Sequence, residues 1–317
     1  MNPISIKSIQ SALNIPETGI YDEFTEAAVR NFQLRNALIP SGVVDADTAQ
    51  LLLSNVISSG PVQDDVIPPS DVTTDLSENS SNHKVNIKKL PPYSTVNGKK
   101  IPNYLGPSKK EYLFLHHTAG WENPYNVVDI WAADTRGPVA TQFIIGGPNC
   151  QTLSDKYDGE IVQCMDFKDY AWHNGLGGSP LQVNAVAIEI CNFGFVTKIG
   201  GRYQTYIGKS IDPSQVVDLG INWRGHRYFH RYSNRQLDSL KFIMELIAHE
   251  TGIDISRGLR DRLKSMRKFD AFDFDRSIGN IKGVYTHANV SGLNKYGQYE
   301  KWDLFPQDEL CDLILSL

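Results

Sequence analysis

Glu111-Tyr112-Leu113-Phe114-Leu115-His116-His117-Thr118-Ala119-Gly120 is the stretch that decides the fold. Its short apolar run reads as a buried strand, and it runs straight into two histidines. A strand holds side chains in fixed directions, so a histidine at its end is rigid enough to grip a metal. Alone, the pair also fits two structural histidines that close a core strand.

Working outward, Thr141-Gln142-Phe143-Ile144-Ile145 and Gly159-Glu160-Ile161-Val162-Gln163-Cys164 read as further strands. Val183 to Cys191 reads as a buried strand interrupted by one carboxylate, Glu189. Asn126 to Asp134 reads as a helix. Asn234 to Thr251 is the clearest helix, with Leu237, Leu240, Ile243, Met244 and Ile247 on one stripe and Gly252 as its stop. Strands mixed with helices predict an α/β domain over residues 90–317, with a central mixed sheet flanked by helices.

Residues 1–57 predict a small all-α domain of three helices. Ile6, Ile9 and Leu13 share a helical face, Gly19 turns the chain, and Phe24, Ala28, Val29 and Phe32 make a second stripe. Residues 58–89 are rich in Ser, Pro and acidic side chains, which predicts a flexible linker. A net charge of −5 gives no basic footprint for nucleic acid. The four cysteines lack metal-pair spacing and are expected as reduced thiols. The first residues show no apolar signal core, and no run is long enough to insert in a membrane.

Several residues suit chemistry. A carboxylate within Val186-Ala187-Ile188-Glu189-Ile190 needs a partner, a proton or a role, and burial raises its pKa toward that of a general base. Gly283-Val284-Tyr285-Thr286-His287 is another apolar approach to a histidine, and Lys301-Trp302-Asp303 follows. Two His and one Asp can hold a catalytic zinc with a fourth position left for water, and Lys301 stands close enough in sequence to help stabilise an oxyanion.

Two resemblances follow from these motifs. Ile9-Gln10, Leu13, Gly19, Tyr21-Asp22, Thr25, Ala28-Val29, Phe32-Gln33, Gly42-Val43-Val44-Asp45 and Thr48 resemble the peptidoglycan-binding type 1 family. That implies a wall-anchoring module, with Tyr21, Gln33 and Asn36 as candidate polar contacts. Leu115-His116-His117-Thr118-Ala119-Gly120, Ala171-Trp172-His173-Asn174-Gly175, Ala187-Ile188-Glu189-Ile190, Thr286-His287 and Lys301-Trp302-Asp303 resemble, in that order, the type 2 N-acetylmuramoyl-L-alanine amidases. These share their fold with the peptidoglycan recognition proteins.

The second resemblance spans roughly residues 108 to 310 and implies hydrolysis of the amide between N-acetylmuramic acid and L-alanine. It implies Zn2+ held by His116, His287 and Asp303, with Glu189 as general base and Lys301 as transition-state stabiliser. Trp172, His173, Asn174 and Thr118 would contact substrate, and His117 would support the site. Two departures stand out. The stretch from Val290 to Glu300 is longer than family members commonly have, which leaves Cys311 as an alternative third ligand. Residues 141–143 lack the tyrosine that some relatives place near the metal. Residues 198 to 232 form an extra segment, either a lid or glycan-contacting wall, or a surface elaboration with its own small core.

The combination resembles a phage endolysin, a monomer whose partner is bacterial peptidoglycan. Such a protein is expected to be made in the host cytoplasm without a signal peptide. It would reach the cell wall through a separate membrane-perforating protein or from a virion. The alternatives are a recognition protein that binds peptidoglycan without cutting it and a different wall hydrolase. A glycosidase needs two facing carboxylates, and only Glu189 stands in a buried setting.

Overall fold

The computed structural model describes residues 83–96 and 98–317, and within the first 57 residues 5–13, 17, 19–21, 25, 29, 32–33 and 43–57. The chain divides into two compact units, Met1–Val72 and Thr73–Leu317. Asn36 and residues 58–82, most of the expected linker, lie outside the described residues.

In the first unit, helices Ile6–Ala12 and Ala46–Ile57 are described, and Thr25, Val29, Phe32 and Gln33 are also helical. Ser5 caps the first helix by accepting from the Ser8 N–H. Ile9, Val29 and Leu52 form the core. Gln10 Nε2 donates to Ile20 O and Thr25 Oγ1, and Gln33 Nε2 donates to Val43 O and Thr48 Oγ1. The same bracing of a turn by a buried glutamine thus occurs twice. Gln33, expected as a wall contact, is fully buried in this role. Tyr21 is about one-third exposed, at 36%.

The second unit is built on six strands, β1 Val85–Ile87, β4 Tyr112–His117, β5 Phe143–Ile145, β6 Ile161–Gln163, β7 Ala185–Ile190 and β13 Gly283–Thr286. They form a mixed sheet of order β1-β6-β5-β7-β4-β13. A separate antiparallel hairpin, β2 Tyr93–Val96 and β3 Lys99–Pro102, precedes β4 in the chain. β4 lies between β7 and β13, parallel to both, and all six of its residues are buried. Alternation assigns its side chains to two faces. Leu113 and Leu115, with Val186, Ile188 and Ile190 of β7, pack against Leu240, Ile243 and Ile247 of the helix Asn234–Thr251. Phe114 and Ala187 pack with Tyr285 on the other face, where the helix Pro124–Ala132 covers Ile144 and Val162.

Helix Asn234–Thr251 has the predicted bounds because both ends are encoded locally. Ser233 and Gln236 form a capping box, and Gly252 closes it at φ 74°. β1 corrects the expectation of a linker that runs to residue 89. Val85–Ile87 pairs in parallel with Ile161–Gln163, and Asn86 Nδ2 donates to Glu160 Oε1. A three-residue edge strand is too short to show a period of two.

The extra segment supplies five more strands, β8 Phe195–Ile199, β9 Arg202–Thr205, β10 Ser210–Ile211, β11 Val216–Trp223 and β12 His226–His230. They form an antiparallel sheet of order β10-β9-β8-β12-β11. Val196 and Ile211 form a small core with Cys150 and Phe193, while Trp223 and Phe229 join the main core. All four cysteines are free and buried. Among the described residues no helix is long and apolar enough to cross a membrane.

Candidate metal centre

The centre forms at the C-terminal ends of β4 and β13. His116 is the fifth residue of β4, and His287 follows the last residue of β13. Because the strands are parallel neighbours, both histidines emerge at one sheet edge. Asp303 comes from the segment after the long 290–300 loop. His116 Nδ1 is 3.2 Å from His287 Nδ1, and Asp303 Oδ2 is 3.0 Å from each of them. All three residues are buried. They are the one group of three potential ligands that converges among the described residues.

The triangle fits zinc. Ligand atoms on bonds of 2.0–2.1 Å at tetrahedral angles stand about 3.3 Å apart. The protonation states fit as well. Burial pushes the His116 ring down to about 4, so it is neutral at pH 7. Burial would raise Asp303, but His287 and His116 outweigh that and hold it well below the usual carboxylate range. A neutral imidazole and an ionised carboxylate are the forms that bind metal. The candidate third ligand is therefore in reach despite the long spacing, whereas Cys311 packs in the main hydrophobic core.

Glu189 stands beside His116, because the β4–β7 register pairs these two residues. Its Oε2 is out of solvent contact with no hydrogen-bond partner. Burial, then the Asp303 charge, raise its pKa well above the ordinary value, against the opposing effect of Lys301. Lys301 is exposed, and its charge acts on both His116 and Glu189.

The other ring nitrogen of His116, Nε2, is 3.0 Å from His173 Nδ1, and His173 Nε2 is buried without a partner. His173 is thus tied to a candidate ligand, a link its sequence motif does not disclose. Trp172 beside it is 41% exposed. Asn174 is buried, with its side chain donating to Leu181 O and accepting from the Leu176 N–H. Its polar atoms are engaged in shaping the loop. Thr118 is half-buried, and its hydroxyl accepts from the Asn192 N–H, joining the ends of β4 and β7.

His117 points to the opposite face, where its Nδ1 lies 2.8 Å from the Tyr232 hydroxyl. Burial lowers its pKa to about 4. Gln142, in the stretch without the relatives' tyrosine, bridges Asp169 O and the Ala187 N–H. Arg224 was not singled out from sequence for this site, yet its guanidinium reaches the backbone of Lys301 and Ala288. An Arg-Gly pair between two strand-like runs signals a turn, but nothing local signals its burial.

Residues 7–52 match the peptidoglycan binding domain family. Residues 106–295, more than half of the chain, match the N-acetylmuramoyl-L-alanine amidase family. That match stops inside the long loop, short of Lys301 and Asp303. Among solved structures, PlyL is 13% identical over 64% of this chain and 80% of its own, with a TM-score of 0.32. The catalytic domain of XlyA is 10% identical over 64% of this chain and 84% of its own, with a TM-score of 0.33. AmiD from E. coli, in complex with an anhydro-N-acetylmuramic acid peptide, is 17% identical over 52% of this chain and 55% of its own, with a TM-score of 0.29. A search of the curated proteins finds no match. The chain belongs to the N-acetylmuramoyl-L-alanine amidase family and carries a peptidoglycan binding domain ahead of its amidase domain.

Proposed function

We propose that this chain is a zinc-dependent amidase of phage-lysin type that cuts between N-acetylmuramic acid and L-alanine in bacterial peptidoglycan. The observation that carries the zinc dependence is the convergence of His116 Nδ1, His287 Nδ1 and Asp303 Oδ2 to within 3.2 Å of one another. Bound there, zinc would supply a Lewis acid for the scissile carbonyl and lower the pKa of a water. Glu189 takes the proton from the attacking water and passes it to the leaving amine, a role its raised pKa suits. The Lys301 ammonium stabilises the developing oxyanion. His173 Nδ1 accepts from His116 Nε2–H, which orients the ring toward the metal. Trp172 and Thr118 line the substrate groove. Residues 1–57 hold the wall, with Tyr21 and Asn36 as contacts, and residues 58–82 serve as the tether.

The test is digestion of purified cell walls by the full chain, followed by mass analysis. The expected products are peptides with a free L-alanine amino terminus and glycan strands without new reducing ends. A chelator should abolish the reaction and zinc should restore it. Glu189→Gln should bind zinc like the wild type and lose about 10²–10⁴-fold in rate. New reducing ends, cleavage within the peptide, or a Glu189→Gln variant that keeps most activity would each overturn the reading.

A further inference from the structure

The turn between β11 and β12 is Arg224-Gly225, and both residues have positive φ, 50° and 88°. Hairpin turns of this kind favour Asn, Asp or Gly, which tolerate left-handed backbone. Arginine is poorly suited to the turn, and a buried guanidinium is costly unless it is well partnered. Arg224 is nevertheless buried. Its two Nη atoms are partnered, while Nε is buried without a partner. Nη1 donates to Lys301 O at 2.7 Å, and Nη2 donates to Ala288 O at 2.6 Å and Asp273 Oδ1 at 2.7 Å. Trp302 Nε1 donates to the Arg224 carbonyl at 2.9 Å. The guanidinium carbon lies 4.6 Å from the Tyr299 ring centroid.

These partners surround the candidate ligands. Ala288 directly follows His287, and its N–H donates to Asp303 O at 2.8 Å. Lys301 and Trp302 directly precede Asp303. The loop between the ligand positions is long, its Leu293 and Tyr296 are 57% and 72% exposed, and a Leu293–Tyr299 bridge closes it on itself. The turn after β9 also reaches the segment that follows the first ligand strand, where the Tyr206 hydroxyl donates to Ala119 O at 2.5 Å.

We propose that Arg224 is a positioning residue for the metal centre and for Lys301, and that the β8–β12 sheet is the scaffold that delivers it. The proposal rests on the amidase reading for what the centre does. It makes the extra segment part of the catalytic unit. Trp223 and Phe229 join it to the main core, and its hairpin tip ties down both chain segments on which the second and third ligands sit.

The test uses the full chain. Zinc affinity is read by competition with a chromogenic chelator, alongside thermal unfolding of the zinc-free protein. Arg224→Ala should weaken zinc binding about 10–100-fold, the usual effect of losing a group that supports a ligand. Millimolar guanidinium ion should restore part of the affinity, whereas the same concentration of sodium ion should not. Arg227→Ala, on the same hairpin but exposed and paired with Asp218, should leave the affinity unchanged. Wild-type zinc affinity in Arg224→Ala, or a loss without guanidinium rescue, overturns the proposal. Should Arg224→Ala fail to fold, Arg224→Lys decides. It keeps a charge but cannot span the two carbonyls, so wild-type affinity there also overturns the proposal. The affinity reads the brace and the bond cut by the wild type reads the function, so the two can fail separately.

Discussion

Replacing His117 with Phe should destabilise the fold and spare the metal centre. The Tyr232 side chain is fully buried, and its hydroxyl lies 2.8 Å from His117 Nδ1. Phenylalanine fills similar space but leaves that O–H without its acceptor, at a cost of about 1–3 kcal/mol, while the hydroxyl oxygen keeps its bond from the Phe305 backbone. Tyr232→Phe orphans the imidazole nitrogen instead, at a similar cost. Removing both leaves neither member of that pair unpaired, and the Phe305 N–H loses its acceptor equally in Tyr232→Phe and in the double variant, so the double should be less destabilised than the sum of the singles. The coupling should be about 1–3 kcal/mol. Any overpacking by the larger phenyl ring against Gly194 is common to the single and double variants and cancels in the cycle. Urea unfolding of the zinc-free proteins gives the stabilities, and chelator competition gives the zinc affinity. His116→Ala, by contrast, should lose zinc binding. Additive single variants, or loss of zinc from His117→Phe, would refute the division of the two histidines between the sheet faces.

Three further outcomes follow from the same geometry. His173→Phe should weaken zinc binding about 10–100-fold in the chelator assay, because His116 Nε2 loses its acceptor. Gly194→Ala should cost about 1–3 kcal/mol in urea unfolding, since the residue has φ 73° and an added Cβ would stand 2.6 Å from His117 Nε2. His230 should contribute acid sensitivity. Burial, then His117, lower its pKa from 6.5 to about 3. Below 6.5 the unfolded chain therefore takes up a proton that the folded one refuses, and stability present above 6.5 is lost as pH falls. At pH 5 that loss is about 2 kcal/mol relative to pH 8. His230→Asn keeps an acceptor for the Phe193 N–H and should shrink the pH 8-to-5 difference in unfolding free energy, read from urea unfolding, by that amount.

Legibility tracked how local each signal was. Helix Asn234–Thr251 was readable to the residue because its capping box and its left-handed glycine both lie in the sequence. Glu189 was conspicuous because one carboxylate interrupts an apolar strand. β1 was not readable, because its three residues are recruited by the edge of β6. Gln33 looked like a surface residue because a polar side chain carries no mark of being buried. Its bond to Thr48 depends on a turn folding back across 15 residues, as does the Gln10–Thr25 bond. Arg224 was beyond local reading for a similar reason, since its partners lie 49 to 77 residues away.

What sequence left open between His116 and His117 is decided by the far side of the sheet. In β4, Leu113, Leu115 and His117 share one face, and Phe114 and His116 share the other. A one-residue slip in the pairing of β4 with β7 would exchange those faces. His117 would then stand where His116 now meets Glu189 and Asp303. The slip would also turn Leu113 and Leu115 away from Leu240, Ile243 and Ile247 and present Tyr112, Phe114 and a histidine to that helix. Each fully buried leucine contributes about 1.5–3 kcal/mol, so the two together oppose the slip by several kcal/mol. The apolar residues of the far face are therefore what select the histidine that stands with His287 and Asp303.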